Sequence, residues 1–246
     1  MTAWPVGYGL VAFEEIDSTN EEARRRARAG EPGPLWIITA RQTKGRGRRG
    51  RVWVAPPGNL STTLLLRPKR LAADCAQLSF AAALAVADML SLHAPGRDIR
   101  LKWPNDVLVD GRKIAGILLE SESGGDGMAA YLAVGIGVNL AAYPDDTEHP
   151  ATSLQDLGHG PLAPKDALLD LAGAFAKWYE AWRGDGFSHL RAAWLSRAFG
   201  LGARIRVRLA AGESIGVFRD IDETGALVLG LPGGVTRTIA AGEIYF

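Results

Sequence analysis

Residues 102–118, KWPNDVLVDGRKIAGIL, decide how the centre of this chain folds. Asp110 and Gly111 form a dipeptide that is typical of a two-residue β-hairpin turn, and apolar residues alternate on both sides of it. The two arms of such a hairpin lie side by side, so Asn105 and Asp106 on the first arm should come close to Lys113 on the second. Most lysines are simply solvated, so this pair needs support from elsewhere in the chain.

That support comes from residues 41–51, RQTKGRGRRGR, where positive charge is concentrated. Six of these eleven residues are Lys or Arg and none is acidic, whereas the whole chain is nearly balanced at 28 basic and 27 acidic residues. Gly45, Gly47 and Gly50 allow the backbone to approach a ligand closely, and successive backbone N–H groups can bind an anion. Arginine side chains add bidentate contacts to phosphate oxygens.

Three functions are open for this basic loop: a solvated mobile loop, an arginine-rich nucleic-acid tract and a phosphate-binding loop. The loop follows the apolar residues 35–38 and precedes the apolar residues 52–54. We therefore expect it to lie between two strands and not in a disordered tail. This position favours the phosphate-binding loop.

The composition predicts a folded protein with a full core. At 246 residues and 47% hydrophobic content, one large domain or one large and one small domain are expected. The single cysteine, Cys75, excludes a disulfide within the chain, fits a reducing compartment and is expected to be a small buried apolar residue. Residues 1–10 lack a signal-peptide pattern, and polar residues interrupt the apolar stretch 75–92, as in a core helix. A cytoplasmic location without membrane contact is therefore expected.

The hydrophobic pattern predicts an α+β fold up to about residue 200. Ser18 and Thr19 offer N-cap oxygens for the first helix, and Glu21 and Glu22 lie in its first turn. The predicted strands cover residues 9–16, 35–40, 59–66, 99–103, 107–109, 113–121 and 129–139, and the predicted helices cover residues 18–30, 72–93, 164–183 and 187–198.

The pattern changes after the Gly-Leu-Gly tripeptide at residues 200–202. Short alternating apolar runs, separated by glycine-containing turns, continue to the end of the chain, as in a small five-stranded β barrel. We therefore predict two domains, residues 1–200 and residues 201–246.

In five motifs the chain resembles the biotin protein ligases, also called biotin–acetyl-CoA-carboxylase ligases. Each motif alone is weak evidence, but all five follow in the family's order and the resemblance spans nearly the whole chain. The motifs are DSTN at residues 17–20, QTKGRGRRGR at residues 42–51 with Trp53, KWPND at residues 102–106, RKIAGIL at residues 112–118 and GIGVN at residues 135–139.

The resemblance implies a mixed-sheet catalytic domain of the biotin and lipoate ligase type, similar to class II synthetases, and a C-terminal SH3-like β barrel. It implies a two-step reaction: biotin and ATP form biotinoyl-5′-AMP and pyrophosphate, and a lysine amine of a carrier protein then attacks the mixed anhydride. Mg²⁺ would accompany ATP. The acceptor would be the biotin carboxyl carrier domain of acetyl-CoA carboxylase or of a related carboxylase.

Some members of this family carry an N-terminal helix-turn-helix domain that binds DNA. The first predicted strand here begins at about residue 9, which leaves no room for such a domain. We therefore expect a monofunctional ligase that does not bind DNA. A homodimer formed through an exposed sheet edge is a further hypothesis.

Four residues are implied in catalysis by the resemblance. Lys113 would bridge the biotin carboxylate and the α-phosphate of ATP. Arg46 and Arg48 would contact the carboxylate region and the phosphate, partly through their backbone N–H groups. Asp106 would orient the intermediate or act as a base toward the incoming lysine amine.

The other implied site residues bind one of the two ligands. Trp53 would cover the adenine face and Asn139 would match the adenine edge, while for Arg49 and Arg51 a structural salt bridge is an equal alternative to phosphate binding. The implied biotin-binding residues are Ser18, Thr19, Asn20, Gln42, Gly45, Arg46, Gly47, Lys113, Gly116 and Gly135, and the implied adenylate-binding residues are Arg48, Arg51, Trp53, Asn105 and Asn139.

Three alternatives to a biotin ligase stay open at this point. A lipoate or octanoate ligase of related fold also uses a lysine in a Lys-Ile-x-Gly context, although the full basic loop favours biotin. A nucleic-acid-binding module would use the arginine loop and the small barrel. A catalytically weak relative would only bind the ligands. The four histidines are scattered, so no zinc site is predicted and no metal ligand is assigned.

Overall fold

The N-terminal part of the chain forms a seven-stranded mixed sheet in the computed structural model, which describes residues 3–144, 149–210 and 212–246. Its strands are β1 (Gly9–Ile16), β2 (Leu35–Gln42), β3 (Leu60–Leu66), β4 (Ile99–Lys102), β5 (Asp106–Val109), β6 (Arg112–Ser123) and β7 (Ala129–Val138). They lie in the order β1-β2-β3-β7-β6-β5-β4. Strands β1 and β2 are parallel and all other neighbours are antiparallel, which confirms the predicted mixed sheet.

The hairpin between β5 and β6 turns where the sequence predicted. Asp110 has a φ of 50° and Gly111 a φ of 76°, the two positive values that a type I′ turn requires. An L-residue adopts positive φ most readily when it is Asn or Asp, and glycine does so at no steric cost. This local chemistry sets the register of the hairpin and therefore the distance between its two arms.

Five α-helices accompany the two sheets in the described part of the chain. They are α1 (Thr19–Arg28), α2 (Ala72–Cys75), α3 (Leu78–His93), α4 (Pro164–Asp185) and α5 (Phe187–Ser196). Helix α3 is buried along most of its length between the sheet and α4, as expected for an all-apolar helix. By length and composition the 72–93 stretch could also cross a membrane, but it lies mostly inside the fold, as a core helix does.

The single helix predicted for residues 72–93 is wrong in one detail, because the structure divides it into α2 and α3. The amides of Gln77 and Phe80 bond to carbonyls three residues back, Asp74 and Gln77, which tightens the backbone between the two helices. The Gln77 side chain also accepts a hydrogen bond from the indole of Trp182 at 2.8 Å. Cys75 ends α2 fully buried, and burial raises the pKa of its thiol to about 11, so it is a packing residue as expected.

The C-terminal part forms a five-stranded antiparallel sheet. Its strands are β8 (Arg204–Leu209), β9 (Gly212–Ile221), β10 (Leu227–Gly230), β11 (Thr236–Ile239) and β12 (Glu243–Tyr245), in the order β11-β10-β9-β8-β12. The predicted strand number is confirmed, and the SH3-like classification stays a prediction.

Direct contacts join this small sheet to the rest of the molecule. The indole N–H of Trp103 donates to the carbonyl of Gly225 at 3.1 Å. Apolar side chains of both sheets belong to one continuous core. At the outer edge of β4, Leu101 exchanges backbone hydrogen bonds with residues 197–199, which covers that edge. The C-terminal sheet is therefore held next to the β4 side of the large sheet.

Candidate active site

A single row of residues across the large sheet forms the floor of the candidate site. The strand register places Gly137 of β7, Gly116 of β6, Asp106 of β5 and Lys102 of β4 opposite one another on successive strands. Residues paired in this way face the same side of a sheet. Neighbouring strands are about 4.8 Å apart, so the row extends over about 14 Å.

A cavity of about 330 Å³ opens above this floor. It lies between the N-terminus of α1, the basic loop, the β5–β6 hairpin and the start of β12. Of the sixteen predicted site residues, Gly45 alone is not in its wall. The fifteen that line it are Ser18, Thr19, Asn20, Gln42, Arg46, Gly47, Arg48, Arg51, Trp53, Asn105, Asp106, Lys113, Gly116, Gly135 and Asn139.

Gly45 supports the wall from behind. Its carbonyl accepts the backbone N–H of Trp53 at 3.0 Å. A Cβ at this position would lie 2.5 Å from the Trp53 carbonyl oxygen, closer than any side chain can approach. The basic loop thus folds back on itself because residue 45 has no side chain.

One end of the cavity is a buried polar network around the start of α1. The Thr63 hydroxyl lies 2.6 Å from Asn20 Oδ1 and 2.8 Å from the Thr19 hydroxyl. Asn20 Nδ2 donates to Glu120 at 2.7 Å. Asn20 can occupy this place only because Gly135 below it has no side chain: a Cβ there would lie 2.3 Å from Asn20 Oδ1.

The predicted N-cap of α1 is wrong in its chemistry. The Ser18 side chain makes no capping hydrogen bond. The first helical amide, that of Thr19, instead donates to Gln42 Oε1 at 2.9 Å, and the Thr19 hydroxyl is 3.2 Å from the same oxygen. Gln42 reaches this amide because β2 continues to residue 42, two residues beyond its predicted end. A side chain from a neighbouring strand therefore replaces the local cap.

Trp53 lies flat on the glycine floor. A Cβ added to Gly137 would lie 2.3–2.5 Å from three atoms of its indole ring, and a Cβ added to Gly116 would lie 3.2 Å from the ring. The Lys113 ammonium lies 5.8 Å from the ring centroid, within the range of a cation–π contact. The tryptophan thus joins the basic loop to the hairpin through one aromatic surface.

The central part of the cavity holds an ion pair and an amide clamp. Lys113 Nζ lies 2.6 Å from Asp106 Oδ1, which confirms the proximity predicted from the hairpin. Asn105 donates to the Ile117 carbonyl at 2.7 Å and accepts from Arg48 Nη1 at 3.0 Å. Burial, followed by the nearby charge of Arg49, lowers the pKa of the Arg48 guanidinium below its usual value. It still remains charged at neutral pH.

The other loop arginines pair with carboxylates. Arg46 Nη2 lies 2.5 Å from Glu21 and 3.0 Å from Glu120, so its side chain turns toward α1 and β6. Its guanidinium is therefore not aimed along the row of floor residues, and any contact with a ligand carboxylate would use its backbone. The salt-bridge alternative for Arg51 is seen directly, because both of its terminal nitrogens bond to Glu243, at 2.7 and 2.9 Å.

Arg49 and Arg51 converge on Glu243, the first residue of β12. Burial alone would raise the pKa of Glu243, but the Arg51 guanidinium, the Tyr245 hydroxyl and His149 outweigh it and lower the pKa to about 2. Arg49 is 3.7 Å from the same carboxylate. The basic loop is therefore fastened to the C-terminal sheet by charge.

Asn139 closes the cavity on the β7 side. Its amide nitrogen donates to the Thr152 carbonyl at 3.1 Å, while its side-chain oxygen is buried without a hydrogen-bond partner. The indole N–H of Trp53 is buried in the same way. Unpaired buried polar atoms are costly, so two of them in one cavity wall favour a polar ligand that satisfies them.

Two family models match the chain. The first is the Biotin/lipoate A/B protein ligase family, over residues 12–139, and the second is the Biotin protein ligase C terminal domain, over residues 200–246. The biotin–[acetyl-CoA-carboxylase] ligase of Paracoccus denitrificans is 48% identical over 237 residues, which cover 94% of this chain and 97% of that protein. The chain belongs to the biotin protein ligase family.

Two further relatives support membership of the biotin protein ligases. The biotin–[acetyl-CoA-carboxylase] ligase of Mycobacterium tuberculosis is 34% identical over 248 residues, covering 96% of this chain and 88% of that protein. The solved structure of the biotin protein ligase from Aquifex aeolicus in complex with biotin and ATP has a TM-score of 0.82 and 28% identity, and covers 96% of this chain and 97% of that one.

Several cavity residues were not predicted from the sequence. Gly137 was missed although it lies two residues beyond Gly135 on the same strand, so the two-residue period of β7 places it on the same face. Lys102 belongs to the same quoted motif as Asp106 but received no role. His149 and Glu243 carry no local signal, because only the tertiary fold brings them to the cavity.

Substituting Gly137 with alanine should dislodge the basic loop. The new Cβ would overlap the Trp53 ring, and overpacking of this kind costs about 1–3 kcal/mol of unfolding free energy. We expect trypsin to cleave the Lys- and Arg-rich loop of Gly137→Ala faster than that of the wild type. Gly184→Ala is the matched control, because a Cβ there meets nothing within 4 Å. Equal loop cleavage in all three proteins would contradict the packing role of the glycine floor.

Substituting Glu243 with glutamine should remove a pH-dependent part of the stability. The carboxylate has a pKa of about 2 in the folded protein against an ordinary value of 4.5, so its stabilisation is complete above pH 4.5 and is lost as the pH falls toward 2. Urea unfolding should show a gap between wild type and Glu243→Gln that is constant near neutral pH and narrows below 4.5. Glu180→Gln removes an exposed pair with Arg183 and should leave only a small gap. A gap that widens on acidification would contradict this assignment.

Proposed function

We propose that this protein is an ATP-dependent ligase that converts biotin to biotinoyl-5′-AMP and transfers it to a lysine of a biotin carboxyl carrier protein. The observation that carries the proposal is that one cavity collects the residues of five separated motifs around the Lys113–Asp106 pair. Relatives named as biotin–[acetyl-CoA-carboxylase] ligases match the chain along nearly its whole length.

The first step needs a surface that stabilises crowded negative charge. A carboxylate is a poor electrophile until it carries a leaving group, and AMP provides one. When the biotin carboxylate attacks the α-phosphate of ATP, two anionic groups come together. Fixed cations at that point therefore lower the barrier. The Lys113 ammonium is positioned by Asp106 and by the Trp53 ring, next to the floor. There it can contact both the biotin carboxylate and the α-phosphate.

The buried network at the α1 end suits the ureido ring of biotin. Such a ring is polar at one edge and requires a few hydrogen-bonding groups in an otherwise apolar pocket. Thr19, Asn20 and Gln42 provide donors and acceptors there, with Ser18 beside them. Gly135 leaves room for Asn20 in this network, and Gly116 leaves room for Trp53 beside Lys113.

The adenylate is assigned to the opposite side of Lys113. Arg48 and Asn105, already bonded to each other, form a charged clamp for the α-phosphate and ribose. The partnerless oxygen of Asn139 can accept a hydrogen bond from the adenine amino group. Among the described residues, Trp53 is the only tryptophan that lies over the glycine floor. Its indole ring stacks against the adenine from the side of the basic loop.

Mg²⁺ is proposed to enter with ATP. Among the described residues, no group of three or more His, Cys, Asp or Glu side chains could hold a metal ion. The cavity carboxylates Asp106 and Glu243 each pair with a cation, Lys113 and Arg51. Magnesium is commonly bound through substrate phosphates with few protein ligands, which agrees with this donor set.

The transfer partner is proposed to be the biotin carboxyl carrier domain of acetyl-CoA carboxylase or of a related carboxylase. The names of the relatives point to this class of acceptor.

A homodimer would use the β1 edge of the large sheet, because residues 197–199 cover the β4 edge. A cytoplasmic location is part of the same proposal and rests on the cysteine content.

Replacing Lys113 with methionine should abolish most of the adenylation activity. Loss of one preorganised donor typically costs about 2.7–4 kcal/mol of barrier, or on the order of 10²–10³ in rate. The measurement is biotin-dependent exchange of labelled pyrophosphate into ATP, repeated with lipoate and octanoate in place of biotin. Lys177→Met, on the exposed face of α4, should exchange like the wild type. Exchange that depends on lipoate and not on biotin would show that lipoate is the substrate. Absence of exchange with all three acids would contradict the proposed ligase activity.

Replacing Asp106 with asparagine should impair the second step more than the first. The carboxylate lies beside Lys113, where it can take the proton of the incoming amine, and general base catalysis contributes about 10²–10⁴ in rate. Transfer of biotin from preformed biotinoyl-AMP to a carrier domain isolates this step. Asp98→Asn, at an exposed position just before β4, is the control. Unimpaired transfer by Asp106→Asn would show that Asp106 is not the base.

A further inference from the structure

Glu120 of β6 lies behind the wall of the large cavity, at its α1 end. It lines a second, smaller cavity of about 150 Å³, and Asn20 and Arg46 stand between the two cavities because they line both. One carboxylate oxygen of Glu120, Oε2, accepts from Asn20 Nδ2 at 2.7 Å and from Arg46 Nη2 at 3.0 Å. Glu120 is therefore connected to the large cavity through these two residues.

The bond to Glu120 fixes which way the Asn20 amide is turned. Its Nδ2 faces two acceptors, Glu120 and the Leu118 carbonyl at 3.3 Å, while its Oδ1 lies 2.6 Å from the Thr63 hydroxyl. A reversed amide would bring its oxygen against the carboxylate and the carbonyl, where no proton could join them. Both Nδ2 protons are thus used inside the protein, and Asn20 keeps a second lone pair on Oδ1 for another donor.

The same direction of hydrogen bonding continues through two hydroxyl groups. Asn20 Oδ1 can only accept, so the Thr63 hydroxyl donates its proton to it. The 2.8 Å contact between the Thr63 and Thr19 hydroxyls then requires Thr19 to be the donor. Since a hydroxyl has one proton, Thr19 Oγ1 can only accept from a ligand. The backbone N–H of Thr19 bonds to Gln42 Oε1 at 2.9 Å, which leaves the Nε2 protons of Gln42 for a ligand.

We propose that Glu120 is a specificity-determining positioning residue, which makes the α1 end of the cavity accept hydrogen bonds from the N–H groups of a cyclic urea. This inference rests on the proposed function and deepens it. Asn20 Oδ1 and Thr19 Oγ1 are acceptors for the ureido N–H groups of biotin, and Gln42 Nε2 is a donor for the ureido oxygen. The dithiolane ring of lipoate and the alkyl chain of octanoate carry no N–H group. They would leave these buried acceptors unpaired, which costs affinity.

The charge of Glu120 strengthens this arrangement. Its Oε1 and Oε2 lie 3.1 and 3.0 Å from Arg46 Nη2, and Arg46 also pairs with Glu21. A hydrogen bond with an ionised partner is roughly twice as strong as one between neutral groups. The guanidinium also fixes the position of the carboxylate, so an arginine of the basic loop takes part in orienting the Asn20 amide.

The test compares ligands with and without ureido N–H groups. Calorimetric titration of the full chain measures the dissociation constants of biotin, of dethiobiotin, which keeps both N–H groups, and of biotin methylated at each ureido nitrogen in turn. In Glu120→Leu we expect biotin and dethiobiotin to bind about tenfold more weakly, as for loss of one hydrogen bond to the ligand. The loss of affinity that N-methylation causes in the wild type should be smaller in this variant, because the acceptors are no longer held in place.

A rescue and a kinetic measurement separate positioning from a general structural role. Glu120→Gln keeps a side-chain oxygen that Arg46 can hold toward Asn20, so it should bind biotin more tightly than Glu120→Leu. In biotin-dependent pyrophosphate exchange, Glu120→Leu should raise the KM for biotin by the same factor as the dissociation constant. The kcat should stay close to that of the wild type, because Lys113 and its surroundings are unchanged.

Two further variants control this experiment. Glu122→Gln changes a carboxylate of the same strand that lines the smaller cavity and pairs with the exposed Arg28, and should bind all four ligands like the wild type. Thr63→Val keeps the shape of the side chain but removes the proton that Asn20 accepts, so it should weaken biotin binding in the same direction as Glu120→Leu. It provides the test if Glu120→Leu does not fold, as judged by circular dichroism and thermal unfolding.

The outcomes separate this inference from the proposed ligase activity. Unchanged biotin affinity in Glu120→Leu or, if that variant does not fold, in Thr63→Val would overturn the positioning role even if the wild type makes biotinoyl-AMP. An unchanged effect of N-methylation would do the same, and so would a Glu120→Gln variant that binds biotin no better than Glu120→Leu. A fall in kcat at constant KM would assign Glu120 to the chemical step instead. Conversely, the expected binding pattern in a wild type that exchanges no pyrophosphate would support the recognition role and overturn the ligase activity.

Discussion

The close contact between Trp53 and the glycines of the sheet floor is the constraint on which the site depends. Gly137 and Gly116 leave a strip of β-sheet without side chains, and the indole ring occupies it at distances that no Cβ would permit. With the ring in place, the basic loop passes directly above the β5–β6 hairpin. Lys113 then lies against the same ring, and Arg48 reaches Asn105. A sheet surface with ordinary side chains would hold the loop several ångströms away.

Ion pairs between side chains also fix the basic loop at both ends. Arg46 is held by Glu21 and Glu120, which belong to α1 and β6, and Arg51 is held by Glu243 of the C-terminal sheet. Glu120 in turn accepts a hydrogen bond from Asn20, so the loop and the buried polar network share a carboxylate. The position of the loop and the geometry of the buried network therefore depend on the same carboxylate.

Features set by residues that are neighbours in sequence could be predicted, and features set by contacts between distant segments could not. The β5–β6 hairpin was predictable because Asp110 and Gly111 encode their own turn, and the proximity of Lys113 to Asp106 followed from it. Most residues of the cavity wall were instead predicted from the resemblance of five motifs to a known family. The cap of α1 was not predictable, because Gln42 competes for the helix amide from another strand. Nor was Glu243, which lies 192 residues from Arg51 along the chain. The division of the 72–93 helix near Gln77, whose side chain bonds to the distant Trp182, was not predicted either.

The positive charge of the basic loop is largely neutralised within the protein, which argues against the nucleic-acid alternative. Arg41 pairs with Glu15, Arg46 with Glu21 and Glu120, and Arg49 and Arg51 with Glu243. A nucleic-acid tract works in the opposite way, because it offers its cations to phosphates and releases counterions on binding. Here most of the loop arginines are held by carboxylates of the protein, while Arg48 bonds to Asn105 in the cavity wall. Lys113 and Arg48 line the cavity beside Asp106 and Asn105, so this wall offers its positive charge to a ligand inside the cavity and not to an extended polyanion.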